Sequence, residues 1–172
     1  MNYENFNPRA FLLAQARELL TQAANAAMAD GSLPQAELPA FITEIPADRK
    51  NGDVASNMAM AGARAWHKAP KMIAEAILAH LPSLQGTCWD RAEVAGPGFI
   101  NLYTGADWLS TVVLAAATNP EYGRTNYGSG QKYNVEFVSA NPTGPMHMGN
   151  ARGGALGDCL AAVLDWAGYQ VT

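Results

Sequence analysis

Apolar side chains at positions 12, 13, 16, 19, 20, 23, 27 and 28 recur at helical spacing until Asp30-Gly31 stops the run. Asn7-Pro8 just before them reads as an N-cap followed by proline at the first helical position. Phe41 to Ile45 is a short strand pattern closed by Pro46, and the polar stretch Asp48 to Asp53 is a turn. A helix is expected from there through His67, capped by Asp53 or Ser56, with another from Lys71 to Leu81 after the Ala69-Pro70 break. Residues 88–95 and 98–104 alternate as two strands about Gly96-Pro97-Gly98, and Asp107 to Ala117 is again helical.

The pattern changes after Pro120. Residues 121–132 are rich in Gly, Asn, Ser and Tyr and read as a linker. An apolar run from Tyr133 to Val138 then gives a strand, Ser139-Ala140-Asn141 a polar corner, and Pro142-Thr143-Gly144-Pro145 a stiff loop. A helix follows from His147-Met148-Gly149-Asn150, and Gln170-Val171-Thr172 opens a further strand. Strand, helix, strand in that order begins a parallel βαβ unit. The expected architecture is an α+β N-terminal domain, helices on an antiparallel sheet, in residues 1–105. A connecting helix and linker occupy 106–130, and residues 131–172 are the first βα unit of an incomplete Rossmann-like α/β domain.

Composition narrows the function without naming it. Apolar residues are 49% and charged residues 15% of the 172, which suits a globular chain with a real core, and the net charge of −4 gives no global attraction to nucleic acid. Arg49, Lys50, Arg64, Lys68 and Lys71 are nevertheless concentrated in one stretch, which by itself reads as a solvated basic surface. Cys88 and Cys159 form no CxxC pair, so neither a disulfide framework nor a metal site is expected. No signal-peptide pattern or membrane-spanning run is present, and cytoplasmic location is the expectation.

The candidate chemistry lies in residues 133–157. Glu136 interrupts an otherwise apolar strand; it either faces water at an edge or meets a cation, for which the neighbouring sequence offers Lys132 and Arg152. Ser139 and Asn141 fall at the carboxyl end of the strand, where open α/β sheets bind ligands, though both are also ordinary turn residues. His147 and Asn150, three apart, share one face of the helix's first turn, where N–H groups and the helix dipole favour phosphate, though His147 is equally read as a histidine near a helix end that caps nothing in particular. Glycines at 149, 153, 154 and 157 each cost roughly 0.8–1 kcal/mol relative to alanine. That sacrifice implies close approach of a strand or ligand, while Leu156, Leu160, Val163, Leu164 and Ala167 form a separate core stripe.

These residues resemble a known signature. Glu136 with Ala140-Asn141-Pro142-Thr143-Gly144-Pro145-Met146-His147-Met148-Gly149-Asn150 looks like the HIGH motif of class I aminoacyl-tRNA synthetases in its arginyl-tRNA synthetase form. Gly52-Asp53-Val54-Ala55-Ser56-Asn57-Met58-Ala59-Met60 and Gly96-Pro97-Gly98-Phe99-Ile100-Asn101 resemble that family's N-terminal additional domain. The resemblance implies an arginine–tRNA ligase, which joins arginine to ATP as an adenylate and then transfers it to tRNA(Arg). It implies that Glu136, Ser139 and Asn141 contact arginine, and that His147, Gly149 and Asn150 bind ATP, with His147 and Asn150 catalytic.

It further implies ATP as substrate with Mg2+, no prosthetic group, a monomeric full-length protein, and an N-terminal domain that touches the tRNA elbow, where Arg49, Lys50, Arg64, Lys68 and Lys71 would be a phosphate-directed, salt-sensitive RNA contact rather than a solvated surface. Two departures stand out: Asn150 replaces the second motif histidine, and no KMSKS-like second signature is present. A 172-residue chain with so little of the catalytic domain is expected to be inactive alone. A stand-alone tRNA-binding module and another HxGH-type adenylyltransferase are the alternative readings.

Overall fold

The computed structural model describes residues 6–141 and 143–172. They form two compact units, Asn7–Ala117 and one built chiefly from Thr118–Thr172. In the first, helix α1 (Pro8–Ala29) begins as its sequence dictates, with the Asn7 side chain accepting a hydrogen bond from the Ala10 amide at 3.0 Å. The expected apolar stripe is buried at Leu12, Ala16, Leu19, Leu20, Ala23, Ala27 and Met28. There follow strand β1 (Thr43–Glu44), a 3₁₀ turn at Arg49–Asn51 and strand β2 (Val54–Ser56). Short helices α2 (Met58–Ala61) and α3 (Ala63–Trp66) and helix α4 (Pro70–Ala79) come next, then strands β3 (Trp89–Ala95) and β4 (Phe99–Thr104) and helix α5 (Ala106–Thr118).

The four strands form an antiparallel sheet in the order β1-β2-β4-β3. Helices α1, α2 and α4 pack on it. Val54, Ser56, Ile100 and Leu102 are buried beneath them, while the alternate set, Glu44, Ala55, Asn101 and Glu93, lies in one register row on the opposite face.

Three features differ from the sequence reading. Val54–Ser56, expected at the start of a helix, is a central strand. Asp53 is responsible: its amide donates to the Leu102 carbonyl at 2.9 Å, and its carboxylate accepts from both the amide and the hydroxyl of Thr104. Asp53 therefore ties β2 to β4 rather than capping a helix; the N-cap of α2 is Asn57, and Ser56, the last residue of β2, accepts from the Met58 amide at 3.2 Å. Gly52 makes the approach possible, at φ 89° with a Cβ position 2.8 Å from the Leu102 oxygen. Next, the helix expected through His67 is split at Gly62 and ends where His67 turns left-handed (φ 49°), so Arg64 and Lys68 do not share a helix face. Finally, the strand expected over Phe41–Ile45 pairs only at Thr43 and Glu44.

In the second unit, strand β5 (Lys132–Tyr133), helix α6 (Met148–Trp166) and strand β6 (Gln170–Val171) form a strand-helix-strand, with β5 and β6 parallel in the register Lys132↔Gln170. The strand expected over 133–138 is shorter than its apolar pattern: beyond Tyr133 only the Val135 amide continues the ladder, to the Thr172 carbonyl at 2.8 Å. Among the described residues β6 is the one strand that pairs with β5. The expected core stripe of α6 is largely uncovered, Leu156, Leu160 and Val163 being 71%, 50% and 64% exposed while Leu164 and Ala167 are half-buried. Residues 125–131 are held along the end of this helix, with Thr125, Gly128 and Gly130 amides bonded to the carbonyls of Trp166, Ala167 and Gly168. Arg124 adds a two-pronged ion pair to Asp165 at 3.1 and 3.2 Å.

Candidate functional site

The helix α6 N-terminus is built by three residues. His147 is the N-cap, in extended conformation. Its Nδ1 accepts from the Gly149 amide at 3.1 Å, and Asn150 Oδ1 reaches back to accept from the His147 amide at 3.1 Å. This reciprocal arrangement is a capping box, with asparagine in the place usually held by Glu or Gln. Sequence spacing placed both side chains on the first turn; what it did not show is that they serve each other there.

Beside the cap an open depression of about 540 Å³ is lined by Val138, Met146, His147, Met148, Asn150, Ala151 and Gly154. The glycines divide by role. A Cβ on Gly154 would stand 2.9 Å from Val138 Cγ2, and one on Gly157 would collide with the Phe137 ring, so these two admit the 137–138 segment against the helix. Gly153 faces open space, and the Gly149 Cβ position lies 2.9 Å from the His147 ring. The close approach expected of the glycines is thus made by a neighbouring segment at 154 and 157 only.

The other proposed residues of this unit do not line that depression. Glu136, Ser139 and Asn141 are exposed, and Glu136 forms no ion pair with Lys132 or Arg152 among the described residues. It lies past the end of β5, outside any strand among the described residues, and faces water. Val138, just before Ser139, holds φ 58°, a costly value for a β-branched residue, and its carbonyl accepts from the Ala140 amide at 2.9 Å. Ala140, Thr143, Gly144, Pro145 and Met146 are exposed on the same loop, and Pro142 lies outside the described residues.

A second concavity, about 390 Å³, lies on the helix-free face of the first unit. Glu44, Pro46, Ala47, Asp48, Asn51, Ala55, Ala95, Gly96, Phe99 and Asn101 line it. Asn101 is 2% exposed, a polar side chain buried at the floor of this concavity. The sequence reading missed this feature; an asparagine at an interior position of an otherwise apolar strand, Phe99–Leu102, was the signal for it. The basic turn is fastened beside the cavity: Lys50 pairs with Asp48 at 2.9 Å, and the Tyr103 hydroxyl meets the Lys50 carbonyl at 3.0 Å and the Glu93 carboxylate. Arg91 stacks over the Tyr103 ring at 3.6 Å, and Glu93 pushes the Tyr103 phenol upward from its ordinary pKa.

The five candidate basic residues therefore differ. Arg49 and Lys50 are exposed on the turn leading to the cavity, Arg64 is exposed on α3, and Lys71 is exposed in the first turn of α4. Lys68 is half-buried with its ammonium on the Ser32 carbonyl at 2.7 Å, a structural engagement.

Residues 14–104, more than half of the chain, match the family model described as "Arginyl tRNA synthetase N terminal domain". The chain belongs to this family. An arginine–tRNA ligase of Acetivibrio thermocellus is 48% identical over 159 residues, covering 92% of this chain and 28% of the relative. One from Moorella thermoacetica is 50% identical over 155 residues, 89% of this chain and 27% of its own length. The chain thus spans little more than a quarter of the length of these curated relatives. Among solved structures, the arginyl-tRNA synthetase of Plasmodium falciparum superposes with a TM-score of 0.50 at 20% identity, over 90% of this chain and 29% of that one, a likeness of fold. The family match encloses the Asn101 cavity and all five candidate basic residues, while the α6 cap lies beyond it.

Proposed function

We propose that the chain is a portion of an arginine–tRNA ligase, comprising a tRNA-contacting N-terminal domain and the first strand-loop-helix of a Rossmann-like catalytic domain. The observation that carries this is the 48% identity to such a ligase over 92% of the chain. In the reaction, an arginine carboxylate oxygen attacks the α-phosphorus of ATP; the bond to the β-phosphate breaks and pyrophosphate leaves. A terminal tRNA hydroxyl then attacks the arginyl carbonyl and AMP leaves. His147 and Asn150 donate to phosphate oxygens as charge builds there, and Gly149 lets the nucleotide approach the backbone. Glu136 supplies a countercharge to the arginine guanidinium, with Ser139 and Asn141 along the same loop. Mg2+ would enter with the triphosphate, as part of the substrate.

The first unit meets the tRNA elbow through the helix-free sheet face. Arg49 and Lys50 meet phosphates, and the adjoining cavity, with an apolar wall at Phe99 and the Asn101 carboxamide in its lining, suits one unstacked base. Arg64 and Lys71, exposed on helices α3 and α4 rather than on this face, offer phosphates a further contact.

Filter binding of tRNA(Arg) to the purified chain over a range of salt tests the RNA half of this reading. Binding should weaken steeply with salt, and Arg49→Ala with Lys50→Ala should lower the slope by roughly 0.7–0.9 for each phosphate no longer neutralised. Asn101→Ala should weaken binding about fivefold to tenfold with the slope kept. Equal binding by wild type and the double variant would defeat it. Arginine-dependent pyrophosphate exchange by this chain is expected to be absent, since most of a parallel sheet is needed to bring Glu136, Asn141 and His147 together.

A further inference from the structure

We infer that Asn150, besides the phosphate contact proposed for its carboxamide nitrogen, has a positioning role in which its Oδ1 acts through His147, the two forming with Gly149 one unit that presents the imidazole Nε2–H as the ring's outward donor. The inference rests on the phosphate-binding reading of His147 proposed above and adds how that group is oriented. A ring nitrogen that accepts a hydrogen bond carries no proton, so the Gly149 amide on Nδ1 assigns the proton of the neutral imidazole to Nε2. Nε2 sits across the ring from Nδ1 and so points away from the Gly149 amide. The backbone carrying that ring is fixed in turn by Asn150 Oδ1 on the His147 amide.

The third member explains a glycine. A Cβ at Gly149 would stand 2.9 Å from the ring's Cε1 and 3.0 Å from Nδ1, tighter than ordinary contact. The absent side chain at 149 is needed for the histidine ring to lie over the first turn, before any ligand is considered. Asparagine at 150 fits the same scheme. Its carbonyl oxygen is an acceptor in every protonation state, whereas a histidine there could receive the His147 amide only through a bare ring nitrogen. The replacement therefore secures the cap, and the carboxamide nitrogen is not used by it.

The 172-residue chain with 15N-labelled histidine rings provides the test, observed with the imidazoles neutral and with His147 identified by its loss in His147→Gln. Wild type should show Nε2 protonated, Nδ1 bare and accepting, and a slowly exchanging His147 amide. In Asn150→Ala that amide should exchange about tenfold faster, the factor expected for loss of a cap, and the ring resonances should move toward those of a free imidazole. Asn150→Asp, which keeps an acceptor, should restore both. Gly149→Ala should displace the ring while the His147 amide stays protected. An Asn150→Ala ring indistinguishable from wild type, or failure of Asn150→Asp to rescue, overturns the inference. Addition of ATP with Mg2+ separates the two ideas: an Nε2–H resonance that ignores ATP, with the Asn150 effects intact, sinks the phosphate reading and leaves the positioning role supported.

Discussion

At the scale of single residues, Asp53 commits its carboxylate to the amide and hydroxyl of Thr104, a partner 51 residues away that no spacing rule reveals. His147 and Asn150 were legible as a pair from their spacing, but the reciprocal cap depends on rotamers that spacing does not specify. Gly62 gives a sharp residue-level prediction. Its φ of −84° is ordinary, so alanine there would reduce unfolded-chain entropy and by itself stabilise by about 0.4–1 kcal/mol. The added methyl, however, would overlap the ring of Trp66, which is fully buried and cannot step aside into solvent. Overpacking of that kind costs about 1–3 kcal/mol. The clash wins, and Gly62→Ala should lower the midpoint of urea unfolding; an unchanged or raised midpoint would show that the Trp66 pocket relaxes freely.

Among elements, those with local signals were read correctly. α1 carries its own cap and proline, α4 its proline start, and the β3–β4 pair its Gly96-Pro97-Gly98 turn, where Gly98 holds φ 131° with its Cβ position 2.8 Å from the Pro70 backbone. Elements with few residues and distant partners were not: β2 is three residues long and is specified by β1 and β4 on either side of it. The pairing of α1 with α4 has a titratable fastening. His80 at the end of α4 places one ring nitrogen 2.7 Å from the Ala76 carbonyl and the other 2.6 Å from Asp30 at the end of α1. With acceptors at both nitrogens the doubly protonated ring is favoured: the Ala76 carbonyl and then Asp30 raise the His80 pKa above 6.5. The Ser32 amide and then His80 lower Asp30 from 3.8 to about 2.

The His80 contribution is complete below its unfolded value and fades as pH rises through the higher folded value. The Asp30 contribution is complete above 3.8 and fades as pH falls toward about 2. The difference in melting temperature between wild type and His80→Ala should therefore be largest between about pH 4 and 6.5 and shrink in the alkaline direction. Both groups are solvent-screened, so the difference should also fall with added salt. A gap that is flat from pH 5 to 9 would mean that His80 acts by packing alone.

Over the whole molecule, the two units differ in how much of their sequence logic is fulfilled. The amphipathic pattern of Asn7–Ala117 finds its partners: α1 buries eight side chains, and the sheet's helix-covered face is sealed at Val54, Ile100 and Leu102. The pattern of the later unit was equally clear in sequence and is not fulfilled, since of the 19 residues of α6 only Gly157 is buried. Each leucine or valine left in water forgoes about 1.5–3 kcal/mol that burial would supply, and Leu156, Leu160 and Val163 are all so placed. Local ties hold this unit instead: the Arg124–Asp165 pair, the backbone bonds of residues 125–131, and the edge-to-face contact of Tyr133 with Tyr169 at 5.0 Å. Such ties are largely solvent-exposed and open at low free-energy cost. Native-state hydrogen exchange should accordingly divide the chain, with amides of α1 and β4 protected by at least about a hundredfold more than those of α6. Replacing Arg124 with Met should speed exchange in the last turns of α6 without altering α1. Equal protection in the two units would mean that the apolar face of α6 is covered in solution, and ultracentrifugation would then show whether a second copy covers it.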